Sequence, residues 1–461
     1  MTEVDLVIAG AGGGLAGAVR AAELGLDVLV VEANPHYLRG NNTSMSTAMV
    51  PGPGSRFQAA AGIEDSPARF LADVEGKTHG TADPVVARAL AGVGAELVEW
   101  LADHVGMPVE LPTDFGYPGH SVPRVHTVPG RHGSALLKYL SDAVAASPRI
   151  DVLVPCRLVD APPGPDGTRV AVVEHPDGIR EEIHARAVLL ATNGFGADAG
   201  LVRTHLPEIA GARYHGSEHS RGDALRIGTA HGAAAGCLDA YQGHAALSAA
   251  AQTLLTWTAV MHGGAVVDGS GRRFGDETTG YSEYAAALAA QPGGRGWMVY
   301  DGRIDALCRT FTDYLDVRSA GAVRTGATVA ELAAATGLPA GPLAEEVDAL
   351  AAVARGEAAD RFGRTVEAPL SSPFHAVEIV PALFHTQGGL RVDADARVVD
   401  AGGAPLPGLY ASGGAAVGIS GHGAAGYLAG NGLLPALGLA YLAAGHVARA
   451  AVPSVEEGAT R

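Results

Sequence analysis

Three cysteines in 461 residues, Cys156, Cys237 and Cys308, are too few and too scattered to build a scaffold. Their number is odd and none stands in C-x-x-C spacing, so a disulfide framework, a zinc site and an iron–sulfur cluster are all excluded as expectations. No metal is expected, and a reduced, cytoplasmic protein is. Basic residues are also short: 32 Lys and Arg against 49 Asp and Glu leave a net charge of −17, with a pI of about 5.4. Such a surface repels phosphate backbones and anionic headgroups, so neither nucleic acid nor a membrane is expected as a partner, and a small molecule is. No apolar run is long and unbroken. The strongest, Leu433 to Val452, is interrupted by Gly438, Gly445, His446 and Arg449 and reads as a packed helix. The first strand begins almost at the N-terminus and leaves no room for a signal peptide ahead of it. No internal repeat is evident.

What is present is apolar material: 47% hydrophobic residues against 18% charged. A chain of this length exceeds one comfortable core, so two domains of α/β type are expected.

The opening stretch carries the clearest pattern. An apolar run from Leu6 stops at Gly10, Gly12, Gly13 and Gly14, a small-residue helix follows through Glu23, and a second apolar run ends on Glu32 and Ala33. Residues without Cβ let a backbone approach a pyrophosphate, and the helix behind points free N–H groups at it. Glu32 suits a ribose 2′-OH and disfavours a 2′-phosphate. Counted from Gly10, the third glycine position of G-x-G-x-x-G is Leu15, so the strand–glycine–helix–strand–acid context carries the reading. Next comes a hydroxyl-rich loop, Arg39–Ser46, whose Asn41, Asn42, Thr43 and Ser44 can donate to phosphates or a ring. Helices are expected within 64–106 and over 134–146, a small β-meander over 150–191, and alanine-rich helices over 328–337 and 342–355.

The order of motifs resembles the flavoproteins of the fumarate reductase and succinate dehydrogenase superfamily, which also includes the 3-ketosteroid dehydrogenases. They are the N-terminal glycine turn, Leu190-Ala191-Thr192-Asn193-Gly194-Phe195-Gly196, Gly222-Asp223, Phe384-His385-Thr386-Gln387-Gly388-Gly389, and Gly408-Leu409-Tyr410-Ala411-Ser412-Gly413 followed by Gly414. The resemblance implies a Rossmann-like FAD-binding domain of glutathione-reductase type, residues 1–238 and 387–461, with an inserted α+β cap over 239–386. It places a second glycine-rich turn, Gly421–Gly432 with Gly430, Asn431 and then Leu433, beside the flavin, and it implies that the FAD contacts include Ala191, Asp223 and Gly413. Asn42 stands where membrane-bound relatives carry the histidine that bonds the flavin, so FAD is expected to be non-covalent.

For the chemistry, the resemblance implies that His244 and His385 match the two substrate histidines of fumarate reductases. The two arginines that hold a dicarboxylate there have no counterpart. Instead Arg272-Arg273-Phe274-Gly275-Asp276-Glu277-Thr278-Thr279-Gly280-Tyr281 matches the 3-ketosteroid dehydrogenase segment whose tyrosine takes the proton, and Tyr427 is a looser match to the tyrosine that polarises the ketone. The expected activity is oxidation or reduction of a CH–CH bond beside the carbonyl of a ketone-like molecule, cyclic or open-chain. It needs an electron acceptor or donor, with Tyr281, Tyr427, His385 and His244 as the catalytic set. The alternatives are a carboxylate-directed enoate reductase using the two histidines, and a non-redox isomerase or hydratase that retains FAD. Arg272 and Arg273 are possible sources of the positive charge that an active phenolate requires. Tyr117, His120, Arg124 and His126 stand in a Gly/Pro-rich loop of the kind that can line a pocket.

Overall fold

The computed structural model describes residues 3–113, 116–117 and 119–451. The chain forms two compact units: the first comprises residues up to His205, Gly216–Tyr241 and the chain from His385 onward, and the second Leu206–His215 with Gln242–Phe384.

The first unit is built on a mainly parallel sheet. Its spatial order is Arg397–Val399, Pro405–Ala411, Arg180–Leu190, Glu3–Ala9, Val28–Val31 and Ile150–Leu153. The last five run parallel. Leu6, Val7 and Ile8 are all fully buried, because helices cover both faces of a parallel sheet and its strands then read as unbroken apolar runs. The first strand lies between Val28–Val31 and Arg180–Leu190, so the connections leave it in opposite directions. That is the topological switch point at which such sheets bind ligands outside their carboxyl ends. The meander expected over 150–191 divides: Arg157–Asp160, Arg169–Glu174 and the first half of Arg180–Leu190 pair antiparallel. Ile150–Leu153 instead joins the parallel sheet, since the helix Gly133–Ala146 before it supplies the crossover a parallel strand needs.

Helix Gly14–Glu23 packs on the C-terminal helix Leu433–Ala451 through small residues. A Cβ on Gly13 would fall 2.6 Å from Ala436 Cβ, and one on Gly17 3.2 Å from Ala440 Cβ. These glycines therefore serve helix contact as well as the turn. Leu433–Ala451 is long and apolar enough to cross a membrane by length and composition, yet Leu434, Leu437, Leu439 and Ala440 are fully buried in the core of the first unit.

The second unit is α+β. Its long strand Phe374–Thr386 pairs with Gly296–Asp301, Arg324–Gly326 and Arg213–Tyr214, and the sheet continues to Ala265–Val267 on one side and Tyr241–Ser248 on the other. Leu206–His215, which the sequence boundary assigned to the first domain, belongs here because Arg213–Tyr214 pairs with Ala382–Leu383. A two-residue strand carries no period that sequence reading could find. The alanine-rich helices are Val329–Thr336, capped by Thr328 and closed by Gly337 at φ 80°, and Ala340–Ala354.

Candidate functional site

Parallel strands bring their carboxyl ends to one edge of the first unit, and the glycines there are fixed by close approach. Gly10 has φ 112°, and a Cβ on it would fall 2.3 Å from the Ala191 carbonyl oxygen. A Cβ on Gly12 would meet Thr43 Oγ1 at 2.9 Å, and the one on Gly14 would press on Ile8 at 2.8 Å. Glu32 Oε2 accepts the Ala11 N–H at 2.6 Å and Oε1 accepts the Asn34 N–H at 2.7 Å. The acid thus braces the glycine turn and retains lone pairs on both oxygens for further hydroxyl donors.

The loop after it closes on itself. Asn41 and Ser44 form a reciprocal cap on the short helix Asn42–Met45, and Asn42 Oδ1 accepts the Ser217 N–H at 3.0 Å. On the other side of the switch point, a Cβ on Gly414 would lie 2.5 Å from Asn193 Oδ1, 2.7 Å from the Gly194 nitrogen and 3.2 Å from His385 Cε1. Gly413, at φ 60°, abuts the same Ala436 that Gly13 touches. Asn431 Oδ1 accepts from Gln387 Nε2 at 2.9 Å, and Gly430 turns at φ 85° against Pro51. Leu433 opens the last helix.

Asp223 is engaged by Arg157 at 2.9 and 2.5 Å and by Arg226 at 3.2 Å. With Ala33, Arg157, His219 and Arg221 it lines a small cavity of about 120 Å³. The structure brings the glycines, Glu32, the Asn41–Ser44 loop, Ala191–Gly194, Gly413–Gly414 and His385 around one sheet edge.

Five buried polar atoms in this unit have no hydrogen-bond partner among the described residues; Arg20 Nε and His126 Nδ1 are two, and Thr192 Oγ1, Ser412 Oγ and His385 Nδ1 are the three close to the glycine-rich sheet edge. Two of these three are hydroxyls at the ends of adjacent parallel strands, each one or two residues before a glycine. Ser412 escaped sequence reading, although Ala411-Ser412-Gly413 repeats the pattern of Ala191-Thr192-Asn193-Gly194. Leaving such groups unpaired costs about 1–3 kcal/mol each, so their position marks a place for a polar ligand. Burial holds the His385 ring at a pKa of about 4, so it is neutral near pH 7.

Within the second unit, His244 is the centre of an aromatic cluster. Its ring stacks on Tyr281 at 4.8 Å between centroids and on Phe384 at 5.4 Å, with Trp257 edge-on at 6.4 Å. His215 lies 5.2 Å from Phe384. The Ala246 N–H donates to His244 Nδ1 at 3.1 Å, which leaves Nε2 as the ring's N–H. Burial, reinforced by His215, lowers the His244 pKa to about 3. Trp257 stands in no motif and sequence reading missed it, and Phe384, though it opens the Phe384–Gly389 motif, was given no role there.

The proposed charge sources for Tyr281 do not hold. Arg273 is buried and bound to Glu277 at 2.8 and 2.7 Å and to Asp360 at 2.6 Å, and Arg364 adds a third bond to Glu277 at 3.0 Å. Arg272 pairs with Glu345 on the surface at 2.5 Å. Each guanidinium is neutralised by a carboxylate.

The Gly/Pro-rich loop is likewise a packing element. His120 donates from Nε2 to the Ala429 carbonyl at 2.9 Å and stacks on Phe70, and burial lowers its pKa to about 4. His126 contacts Ser55 Oγ at 2.7 Å and is also lowered to about 4 by burial. Arg124, with no exposed surface, holds Asp65 at 2.8 and 3.0 Å and also bonds Asp73. Burial opposes ionisation of Asp65, but the hydrogen bonds from Arg124 and Gln58 outweigh it and keep the carboxyl below its usual range. Arg124→Ala strands two carboxylates, and a loss of about 3–5 kcal/mol in urea unfolding is expected. A loss under 1 kcal/mol would show that the pair is solvated in the native protein.

Comparison with known proteins agrees with this geometry. The chain is 28% identical over 427 residues to the NADH:fumarate oxidoreductase of Klebsiella pneumoniae, covering 90% of this chain and 45% of that protein. It therefore spans about half of that relative's length. It is 30% identical over 312 residues to 4-oxocyclohexanecarboxylate 2-dehydrogenase of Sinomonas cyclohexanicum, covering 58% and 54% of the two chains. The structure of a 3-ketosteroid Δ1-dehydrogenase from Sterolibacterium denitrificans superposes with a TM-score of 0.79 at 22% identity, over 98% of this chain and all of that one. The glycine turn braced by Glu32 and the unpaired hydroxyls of Thr192 and Ser412 fit a dinucleotide with a polar ring. The family described as FAD binding domain matches residues 5–433, so the chain belongs to that flavoprotein family and FAD is its cofactor.

Proposed function

We propose that the protein is an FAD-dependent oxidoreductase acting on a CH–CH or C=C bond beside the carbonyl of a ketone-like small molecule, with an electron donor or acceptor as its second partner. FAD, when bound, takes up or delivers the hydride. Gly10, Gly12, Gly13, Gly14 and Glu32 with Ala33 would hold its adenosine and pyrophosphate. The 41–44 loop, Ala191–Gly194, Asp223, Gly413–Gly414 and the Gly430–Leu433 turn would hold the rest.

The observation that carries the choice of substrate is the His244 ring, locked neutral with its N–H on Nε2 and stacked on Tyr281. A neutral imidazole donates a hydrogen bond to a carbonyl oxygen but brings no charge to a carboxylate, and Arg272 and Arg273 are already paired with carboxylates. A dicarboxylate wants bidentate cations, whereas a ketone wants a donor at its oxygen and a proton carrier at the adjacent carbon. His244 supplies the donor, and Tyr281 Oη moves the proton. The name of the Sinomonas relative, with a ring ketone in its substrate, points the same way. A fumarate-type reading rests on the Klebsiella relative's name and is weakened by two histidines that are uncharged near pH 7.

Reduced anaerobically with dithionite and mixed with 2-cyclohexenone, the protein should regain oxidised-flavin absorbance as the enone takes up two electrons and two protons. Reoxidation by fumarate and not by the enone would reverse the substrate assignment, and reoxidation by neither would favour the non-redox alternative. With Asn42 bonded to Ser217 at 3.0 Å, the loop offers no histidine at that position for a flavin bond. Heating in acid should release the yellow colour to the supernatant, and colour kept in the pellet would mark a covalent link.

A further inference from the structure

We infer that Ser282 is a positioning residue for the Tyr281–His244 pair, an inference that rests on Tyr281 as proton carrier. Tyr281 follows Gly280, whose φ of 129° residues with a Cβ rarely adopt. A Cβ on Gly280 would also fall 2.4 Å from the Glu283 carboxylate. The turn is thus set by glycine on one side, and the helix Glu283–Ala289 begins only two residues after the tyrosine.

Two hydrogen bonds tie this turn to the strand Tyr241–Ser248. The Ala245 N–H donates to the Tyr281 carbonyl at 2.9 Å, and the Gly243 N–H donates to Ser282 Oγ at 3.0 Å. Gly243 and Ala245 are the chain neighbours of His244, and N–H groups two apart on a strand point the same way. The turn is therefore clamped on both sides of the histidine that Tyr281 stacks against.

The serine's local surroundings show that its hydroxyl is committed to this purpose. Ser282 is the N-cap of the following helix, where serine ordinarily turns its oxygen onto its own helix N–H groups. Here it makes no side-chain cap bond. It has helical backbone angles, is 1% exposed, and bonds the neighbouring strand instead. It is also the one side chain in the clamp, so replacing it removes one of the two bonds, leaves the Ala245–Tyr281 bond and alters neither ring.

The test uses the full-length, FAD-loaded protein. In Ser282→Ala, hydrogen exchange of the segment 241–248 should accelerate by roughly tenfold or more. The Tyr281 ring signal, from tyrosine labelled with ¹³C at Cζ and identified by its loss in Tyr281→Phe, should shift its titration midpoint. FAD content should be unchanged. Ser282→Thr keeps the acceptor oxygen and should restore both readings. Exchange and titration equal to wild type in Ser282→Ala would overturn the inference, as would a Ser282→Thr protein that behaves like the alanine variant. If Ser282→Ala does not accumulate with FAD, Ser282→Cys, of similar shape but a weak acceptor, is read in the same way. Normal turnover in Tyr281→Phe alongside a fast-exchanging Ser282→Ala would remove the proton-carrier reading and leave the clamp standing as a structural one. The two failures are therefore distinguishable.

Discussion

Tyr281→Phe should keep its FAD and its fold while enone reduction falls roughly a hundredfold or more. The substitution removes one oxygen and leaves the ring that stacks on His244 at 4.8 Å, so packing gives little reason for instability. What is lost is the phenol hydroxyl of the ring stacked on His244, and His244 cannot replace it, because a ring with a pKa of about 3 carries no spare proton near neutrality. Both kcat and kcat/KM should fall, since a proton carrier acts in the transition state and adds little to ground-state binding. The wild-type rate of desaturation should rise with pH as the phenol gives up its proton, and the variant should lose that dependence. Turnover within threefold of wild type would exclude Tyr281 and shift attention to Tyr427.

Acid should destabilise the protein well before its carboxylates are protonated. His120, His126 and His385 in the first unit, and His244 in the second, are held by burial at about 4, 4, 4 and 3. In the unfolded chain each titrates near ~6.5. Between those values the unfolded state binds protons that the native state does not, so stability is complete above about pH 6.5 and is lost as pH falls through the window toward the folded pKa values. Each ring contributes about 1.4 kcal/mol per pH unit, and four together about 5.6. Total stabilities of about 5–15 kcal/mol do not survive much of that slope. The melting temperature should be level above about pH 7 and drop steeply below about pH 6. The paired carboxylates Asp65, Asp73 and Asp360, also below their usual range despite the opposing effect of burial, add to the loss only at still lower pH. A flat melting temperature from about pH 7 to 5 would mean that these rings take up protons without unfolding. A His126→Gln variant that melts normally at pH 7 should show a shallower acid slope.

The sites differ in how far they could be read in advance. Gly10 to Glu32, Ala191–Gly194 and Gly413 lie where a short-range pattern meets a backbone requirement: a turn with no room for Cβ must be glycine whatever surrounds it. Ser412 stands inside the Gly408–Gly413 motif and repeats the Thr192 arrangement, but its hydroxyl becomes visible only as a buried group without a partner among the described residues. Arg272 and Arg273 show the opposite error. Their position eight or nine residues before Tyr281 suggested activation, but Glu345 neutralises Arg272 from about 73 residues away, and Asp360 joins Glu277 on Arg273 from about 87 residues away. Nearby sequence cannot report a distant partner. His120, Arg124 and His126 looked like a pocket lining because loops carry function, and they proved to be a buried network reaching Phe70, Asp65 and Ser55.

By itself the sequence determined the nucleotide-binding half of this protein: strand, glycine turn, helix and acid are local, and local steric demands are written in consecutive residues. Only the tertiary structure brought together the residues proposed for the chemistry. The neutral tautomer of His244, its stacking between Tyr281 and Phe384, and the serine clamp on the tyrosine turn all arise from segments far apart in the chain. Their partners are selected by burial and by the need to pair every enclosed donor, which no short stretch of sequence specifies.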